Sequence, residues 1–119
     1  MSTQKVASRL SELCNKGDFE AAQKELFAND AVSIEMHASP DFPKETKGIN
    51  AIIEKGKKWS AGVEQVHSTS ASKPTIAGNA ICMVLNMDIT FKGRGRTKME
   101  ELCVYTVKDD KIISEQFFM

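Results

Sequence analysis

The sequence has little of several features that mark common functional classes. Its 16 basic and 16 acidic residues cancel, and only three of the basic residues are arginine. No global field would therefore attract nucleic acid or an anionic membrane. No apolar run approaches membrane-spanning length, and the first ten residues lack the apolar segment of a signal peptide. We expect neither a nucleic-acid partner nor a membrane partner.

The chain is also poor in metal-binding and redox motifs. Cys14, Cys82 and Cys103 are odd in number and show no CxxC spacing, which favours free thiols in a reducing, cytoplasmic compartment. The two histidines, His37 and His67, lie far apart among scattered acids and make a weak metal set. No Walker loop, HExxH motif or Ser/His/Asp order occurs. We expect no metal and no cofactor.

Hydrophobic periodicity predicts three helices. With 41% hydrophobic residues in 119, the composition is that of one globular domain over residues 1–119. Apolar residues at helical spacing predict a helix over residues 3–16 and a second after the N-cap residue Asp18. A third helix is predicted to begin at Ile49 and end near Gly62.

Strands dominate the rest of the sequence. Alternation predicts strands over residues 31–37 and 63–73, a long hairpin over 80–108, and a last strand after the turn at Asp109 and Asp110. Three helices with single apolar stripes need a sheet face to pack on. The predicted fold class is α+β, with a curved antiparallel sheet of four to six strands and the helices on one side.

The hairpin holds the strongest indication of a site. Folding it about Arg94 and Gly95 pairs Asp88 with Glu101, Asn86 with Cys103 and Val84 with Tyr105. Two directly opposed carboxylates lie roughly 5 Å apart at Cβ and destabilise a sheet unless a cation, a shared proton or a basic ligand compensates. The alternative is a solvent-exposed polar face, with the Met/Leu/Ile face packed on the helices.

The order of elements and three local patterns resemble the SnoaL-like branch of the nuclear transport factor 2-like superfamily, which includes ketosteroid isomerases. The patterns are NKGDFEAAQKELFANDAVSIE, KGINAI and CVYTVKDDKIISEQFF. The resemblance covers nearly the whole chain and implies a cystatin-like, cone-shaped α+β roll with a pocket between sheet and helices. It also implies a homodimer through the outer sheet face. Superfamily members include isomerases, cyclases, dehydratases, hydrolases and non-catalytic binders.

Similarity to the ketosteroid isomerases implies roles for individual residues. Glu35 lies five residues after Asp30, which is the spacing of their catalytic base. Leu10 and Cys103 occupy the positions of their oxyanion-binding groups, and neither donates a strong hydrogen bond. Steroid isomerase activity is therefore not expected.

The same comparison predicts which hairpin face lines the pocket. The pocket face would carry Val84, Asn86, Asp88, Thr90, Glu101, Cys103 and Tyr105. The outer face would carry Met83, Leu85, Met87, Ile89, Leu102 and Val104. Such a large apolar patch would need to be covered, and dimerisation would cover it.

These arguments yield a set of candidate site residues. The candidate catalytic residues are Glu35, Asp88 and Glu101, and the candidate ligand-binding residues are Asn86, Tyr105, Glu115, His37 and Trp59. Four of them have a plainer alternative: an exposed strand face for Glu35, a lone surface histidine for His37, and core packing for Tyr105 and Trp59. The phase of the last strand leaves Glu115 and Gln116 as alternatives for the inward position, with Glu115 preferred.

The predicted function is binding of a small organic molecule in an acid-lined pocket. If a reaction occurs, it would be cofactor-independent acid–base chemistry such as isomerisation, dehydration or hydrolysis, with one carboxylate as base and a protonated partner as acid. The alternative is a non-catalytic dimeric scaffold or protein-binding module whose pocket is vestigial.

Overall fold

The computed structural model describes residues 2–119 and contains three helices and seven strands. The helices are α1 (Thr3–Asn15), α2 (Phe19–Leu26) and α3 (Ile49–Ala61). The strands are β1 (Phe27–Ile34), β2 (Glu45–Lys47), β3 (Val63–Ala71), β4 (Thr75–Ala77), β5 (Ala80–Phe91), β6 (Gly95–Lys108) and β7 (Lys111–Phe118).

The helices form where the apolar periodicity places them. In α1 the stripe of Val6, Leu10, Leu13 and Cys14 is buried, and the Ser2 side chain caps the helix by accepting from the Lys5 amide. Gly17 follows with a φ of 75°, a left-handed conformation that glycine adopts without a steric cost. No helix within residues 2–119 combines the length and apolar character needed to cross a membrane.

The seven strands form one curved, unclosed sheet in the order β2-β1-β7-β6-β5-β3, with the short β4 pairing with β5. The predicted α+β class is confirmed, as are the three helices and the four long C-terminal strands. The prediction of a purely antiparallel sheet is wrong, because β1 and β7 pair in parallel. The short strands β2 and β4 were not predicted, and β1 begins at Phe27 rather than at Ala31.

The register of the β5–β6 hairpin differs from the predicted one. Phe91 pairs with Gly95, so the connection contains only residues 92–94, and it turns through Gly93 with a φ of 76°. Asp88 consequently lies opposite Lys98, and Glu101 lies opposite Leu85. The prediction that Asp88 and Glu101 oppose each other is wrong, because it centred the turn on Arg94 and Gly95.

This register shift of three residues inverts one strand relative to the prediction. Side chains alternate between the faces of a strand, so an odd shift exchanges the faces of β5 relative to β6. The inward residues of β5 are Ile81, Met83, Leu85, Met87, Ile89 and Phe91, and all six are buried. The prediction that Val84, Asn86, Asp88 and Thr90 face the helices is therefore wrong.

For β6 the predicted faces agree with the structure: Glu101, Cys103 and Tyr105 point inward, and Leu102 and Val104 point outward.

The last strand enters through a tight turn. Asp109 and Asp110 have φ values of 50° and 64°, a conformation that aspartate tolerates better than most residues. In β7 the structure places Glu115 inward, only 5% exposed, and Gln116 outward.

Candidate functional site

A cavity of about 740 Å³ lies between α2, α3 and the inward face of the sheet, and is partly open to solvent. Most of its wall is apolar, formed by Phe19, Ile52, Ile53, Trp59, Leu85, Met87, Met99 and Phe117. A smaller cavity of about 250 Å³ adjoins it and shares Glu35, His37, Glu101, Phe117 and Met119. An apolar enclosure with a few convergent polar groups is the usual form of a small-molecule site.

The centre of the polar wall is Lys55, on the inward side of α3. Its Nζ donates to Ser33 Oγ at 2.6 Å and to Glu35 Oε1 at 3.2 Å. The Lys55 side chain is 14% exposed, and Nζ lies 5.8 Å from the centre of the Phe117 ring. Ser33 in β1 and Glu35, one residue beyond the end of the strand, lie two positions apart in extended chain and share a face, so one ammonium group joins both to α3.

Glu115 lies behind this ion pair, on the neighbouring strand β7. Burial raises the pKa of its carboxyl to about 7, and the negative charge of Glu35 adds to that effect. A hydrogen bond from Ser33 and the charge of Lys55 oppose the increase in pKa. Glu115 is therefore partly protonated near neutral pH.

Glu101 is the third carboxyl group of this polar wall, which faces α3 from the sheet. Burial raises its pKa to about 7, and the negative charge of Glu35 acts in the same direction. Its Oε1 accepts a weak contact from Cys103 Sγ at 3.7 Å, and it forms no ion pair within residues 2–119. A half-buried carboxyl group that can hold or release a proton near pH 7 is suited to general acid–base chemistry.

Tyr105 borders the same wall at greater depth. Its ring is buried, and burial raises the pKa of the phenol well above its usual range. Burial also raises the pKa of the Cys14 thiol to about 12 and that of the Cys103 thiol further still. These groups stay protonated near neutral pH, so the two cysteines are not thiolate nucleophiles there.

Asp88 and Asn86 lie outside the cavity, on the opposite face of the sheet. Arg96 donates to both carboxylate oxygens of Asp88, at 2.9 and 2.8 Å, and these hydrogen bonds hold the pKa of Asp88 below its usual range. His67 lies on the same outer side and contacts Thr90 Oγ1 at 2.6 Å. The compensating cation for Asp88 is therefore arginine, and no ligand is needed.

The two remaining candidates lie at the margins of the cavity. His37 is exposed at the rim, where it borders both cavities. Trp59 is half-buried and packs edge-on against Phe91, with ring centres 6.0 Å apart. The structure thus brings together Glu35, Glu101, Glu115, Tyr105, His37 and Trp59, and separates Asp88 and Asn86 from them.

Sequence reasoning missed Lys55 and Ser33. The signal for Lys55 was present, because it follows Ile52 by three positions and precedes Trp59 by four, within the apolar stripe of α3. A lysine on such a stripe needs an acceptor on the facing strand, and Ser33 and Glu35 supply it. Within residues 2–119 no cluster of three or more His, Cys, Asp or Glu side chains is placed to hold a metal ion.

Comparison with known proteins places this geometry in a family. The model of the SnoaL-like domain matches residues 1–119. A protein from Mesorhizobium loti, provisionally assigned as a SnoaL-like polyketide cyclase, is 30% identical, with a TM-score of 0.92 and full coverage of both chains. No curated protein matches the sequence.

Two more distant structures share the fold alone. A cystatin-like protein of unknown function from Xanthomonas campestris is 16% identical, with a TM-score of 0.80 over 99% of this chain and 90% of the other. A protein with a ketosteroid isomerase-like fold from Catenulispora acidiphila, solved in complex with trimethylamine, is 16% identical. Its TM-score is 0.75 over 99% of this chain and 87% of that one.

Proposed function

The chain belongs to the SnoaL-like family, and from this premise and the cavity geometry we propose that it binds a small organic molecule between α2, α3 and the sheet. We further propose that Glu35 and Glu101 carry out cofactor-independent acid–base chemistry on that molecule. The observation that supports catalysis most directly is Glu101, a cavity-lining carboxyl whose pKa is raised to about 7 beside the ion-paired Glu35. Two carboxyl groups in different protonation states can divide the roles of base and acid.

The proton movements follow from this pair. The Glu35 carboxylate takes a proton from a carbon next to the ligand's carbonyl group, and the electron pair of that C–H bond passes into the enolate. The Glu101 carboxyl then gives its proton to a second carbon of the ligand, which completes an isomerisation. Proton exchange with water returns Glu35 to the carboxylate and Glu101 to the acid. If Glu101 instead protonates a departing hydroxyl group, the same pair carries out a dehydration.

A proton-exchange assay tests this proposal. We expect the protein to accelerate deuterium uptake from D2O into small ketones, β-keto esters or β,γ-unsaturated ketones, as followed by NMR. Glu101→Gln should lower deuterium uptake at the second carbon of the β,γ-unsaturated ketones by roughly 10²-fold or more, because it removes the acid that protonates that carbon. Asp88→Asn is the matched control, since Asp88 lies on the other face of the sheet and should leave the rate unchanged. Equal losses in both variants would contradict the assignment of the pair.

Ligand binding is testable separately from catalysis. The same compounds should raise the melting temperature of the wild-type protein and of Asp88→Asn by mass action. A protein that shows neither thermal shifts nor deuterium exchange over this set of carbonyl compounds would favour the alternative, a scaffold with a vestigial pocket.

We also propose that the chain forms a homodimer through the outer face of the sheet. The outward side chains of β5, β6 and β7 include an outer-face patch of Cys82, Val84, Leu102, Val104 and Phe118. Leu102 is 40% exposed and Phe118 39%, and the strand pairing places them side by side. A contiguous apolar patch across three strands is typical of a protein–protein interface.

A further inference from the structure

We propose that Lys55 is the ligand-anchoring group of the cavity: its ammonium donates a hydrogen bond to a carbonyl or carboxylate oxygen of the bound molecule. The ligand would then be an apolar body carrying an oxygen acceptor or an anionic group, and not an amine. This inference rests on the proposed function, because it assigns the substrate class of the same cavity.

The first support is a count of hydrogen bonds at Lys55. An ammonium group has three N–H donors and no acceptor. Within the described residues two donors are used, one by Ser33 Oγ and one by Glu35 Oε1. The third remains for a molecule in the cavity, whose wall Lys55 helps to form.

The second support is the distribution of charge around it. The Glu35 carboxylate is neutralised by Lys55 itself, at 3.2 Å. Glu115 lines the cavity but is only 5% exposed, and its carboxyl carries a proton for part of the time near pH 7. Glu101 carries a proton for part of the time near pH 7, and in that state it is also a donor. Around Lys55 the wall thus presents donors, which an oxygen acceptor on the ligand would satisfy. Besides Tyr105, the other charged or titratable groups of the wall are Asp18 and Glu20 at the start of α2, Lys57 on α3 and His37 at the rim.

The third support is the apolar surrounding. Lys55 Nζ lies beside the Phe117 ring, and the rest of the wall is largely aliphatic and aromatic. A hydrogen bond to a charged donor is stronger in such surroundings than in water. A carbonyl oxygen held there would be polarised, which would make the adjacent C–H group more acidic and assist proton removal by Glu35.

Three isosteric probes of different charge test the inference: 2-naphthoate, 2-naphthamide and 2-naphthylmethylamine. We expect isothermal titration at pH 6 to give the tightest binding for the naphthoate and the weakest for the amine. Naphthoate affinity should fall several-fold between pH 6 and pH 8, because Glu101 and Glu115 then ionise and repel the anion. The naphthoate itself stays ionised over this range.

Lysine variants identify the anchoring group. Lys55→Met should weaken naphthoate binding roughly tenfold or more and amide binding by less, because both probes lose a hydrogen-bond donor but only the anion also loses an opposite charge. Lys55→Arg should restore part of the affinity. The matched control is Lys47→Met, since Lys47 also pairs with a glutamate, Glu45 at 3.5 Å, but is 77% exposed and outside the cavity. Should Lys55→Met fail to fold, Lys55→Gln, which removes the charge and keeps a hydrogen-bond donor, tests the same loss of naphthoate affinity.

The outcomes separate this inference from the proposed function. Tightest binding of the amine, or naphthoate binding that Lys55→Met leaves unchanged, would overturn the role of Lys55 while leaving the cavity as a ligand site. Binding of none of the three probes would contradict both.

Discussion

At the scale of single residues, Glu115 couples the candidate site to stability. Its carboxyl is nearly fully buried, and burial raises its pKa from an ordinary value of 4.5 to about 7. Below about pH 4.5 the group is protonated in the folded and unfolded states and has no effect on their balance. As the pH rises from there to about 7, the unfolded chain releases this proton first, so folding loses stability; above pH 7 the loss levels off.

Glu115→Gln should remove this pH dependence. We expect the variant to match the wild type at pH 4.5 and to exceed its free energy of unfolding at pH 8 by roughly 1–3 kcal/mol. Urea unfolding at several pH values measures the difference. Glu100→Gln serves as control, because Glu100 is exposed on the outer face of β6. A stability difference for Glu115→Gln that does not grow between pH 4.5 and pH 8 would contradict the raised pKa.

A residue's surroundings, more than its type, decide its role here. Asp88 and Glu101 are both strand carboxylates with side chains that look alike in the sequence. Arg96 holds the pKa of Asp88 down by bidentate hydrogen bonding, whereas burial raises the pKa of Glu101 to about 7. Of these two, only Glu101 can therefore exchange a proton near neutral pH.

At the scale of elements, the β5–β6 connection decides which residues reach the cavity. Gly93 has a φ of 76°, and a Cβ added there would meet nothing within 4 Å, so the cost of substitution is conformational. Gly93→Ala should destabilise the fold by about 1–2 kcal/mol, because L-residues disfavour the left-handed region. Gly56, within α3, has no positive φ, so a substitution there has no such conformational cost.

Gly56→Ala should stabilise the protein by about 0.5–1 kcal/mol. Gly56 has helical backbone geometry, a Cβ there would also meet nothing within 4 Å, and alanine is the better helix former. Both glycine variants can be measured in one series of denaturant unfolding experiments. If Gly93→Ala proved as stable as Gly56→Ala, the turn would not pass through Gly93 in the way described.

The sequence is sufficient to predict the helices and the long strands, because apolar periods of 3.6 and 2 are local properties. It does not determine the hairpin register. Gly93 and Gly95 both accept positive φ, and a turn centred on either leaves two plausible alternating strands. The predicted turn is centred on Arg94 and Gly95, whereas the turn in the structure is centred on Gly93. This difference replaces Asp88 by Leu85 as the partner of Glu101 and exchanges the two faces of β5. The parallel pairing of β1 with β7 joins segments about 80 positions apart, which no local pattern records.

The candidate site was predictable only in part, because local patterns place a residue on a strand or helix but do not show which elements pack together. Glu35 and Glu115 followed from resemblance, and Glu101 was selected through an incorrect pairing that nevertheless kept β6 in its correct phase. Lys55 was not selected, although it lies within the apolar stripe of α3, and its neighbours Lys57 and Lys58 on that helix are exposed. The contact between α3 and β1 that buries Lys55 is a tertiary feature.

At the scale of the whole molecule, the two faces of the sheet differ in what covers them. The inner face supplies the core and the cavity wall, and the outer face carries an Asp88–Arg96 ion pair beside the outer-face patch of Cys82, Val84, Leu102, Val104 and Phe118. Since the inner face is covered by the chain's own helices, the outer face is the side of the sheet that we propose a second copy covers. Stable dimer interfaces bury about 800 Å² or more per partner, which an exposed sheet face of three long strands can provide.

Leu102→Glu should convert the proposed dimer to a monomer. The charge would be placed in the middle of the patch, opposite Val84 and Phe118, where a partner copy would bury it unpaired. Light scattering coupled to size exclusion over a concentration series measures the mass.

Val66→Glu is the control, because Val66 is likewise an exposed apolar residue, 50% accessible, but lies on the edge strand β3. A wild-type chain that stays monomeric throughout the series, or a Leu102→Glu variant with the wild-type mass, would show that the outer face does not pair copies of this chain. Since the cavity opens on the other side of the sheet, Leu102→Glu should leave naphthoate binding intact, so loss of the dimer and loss of the site can be told apart.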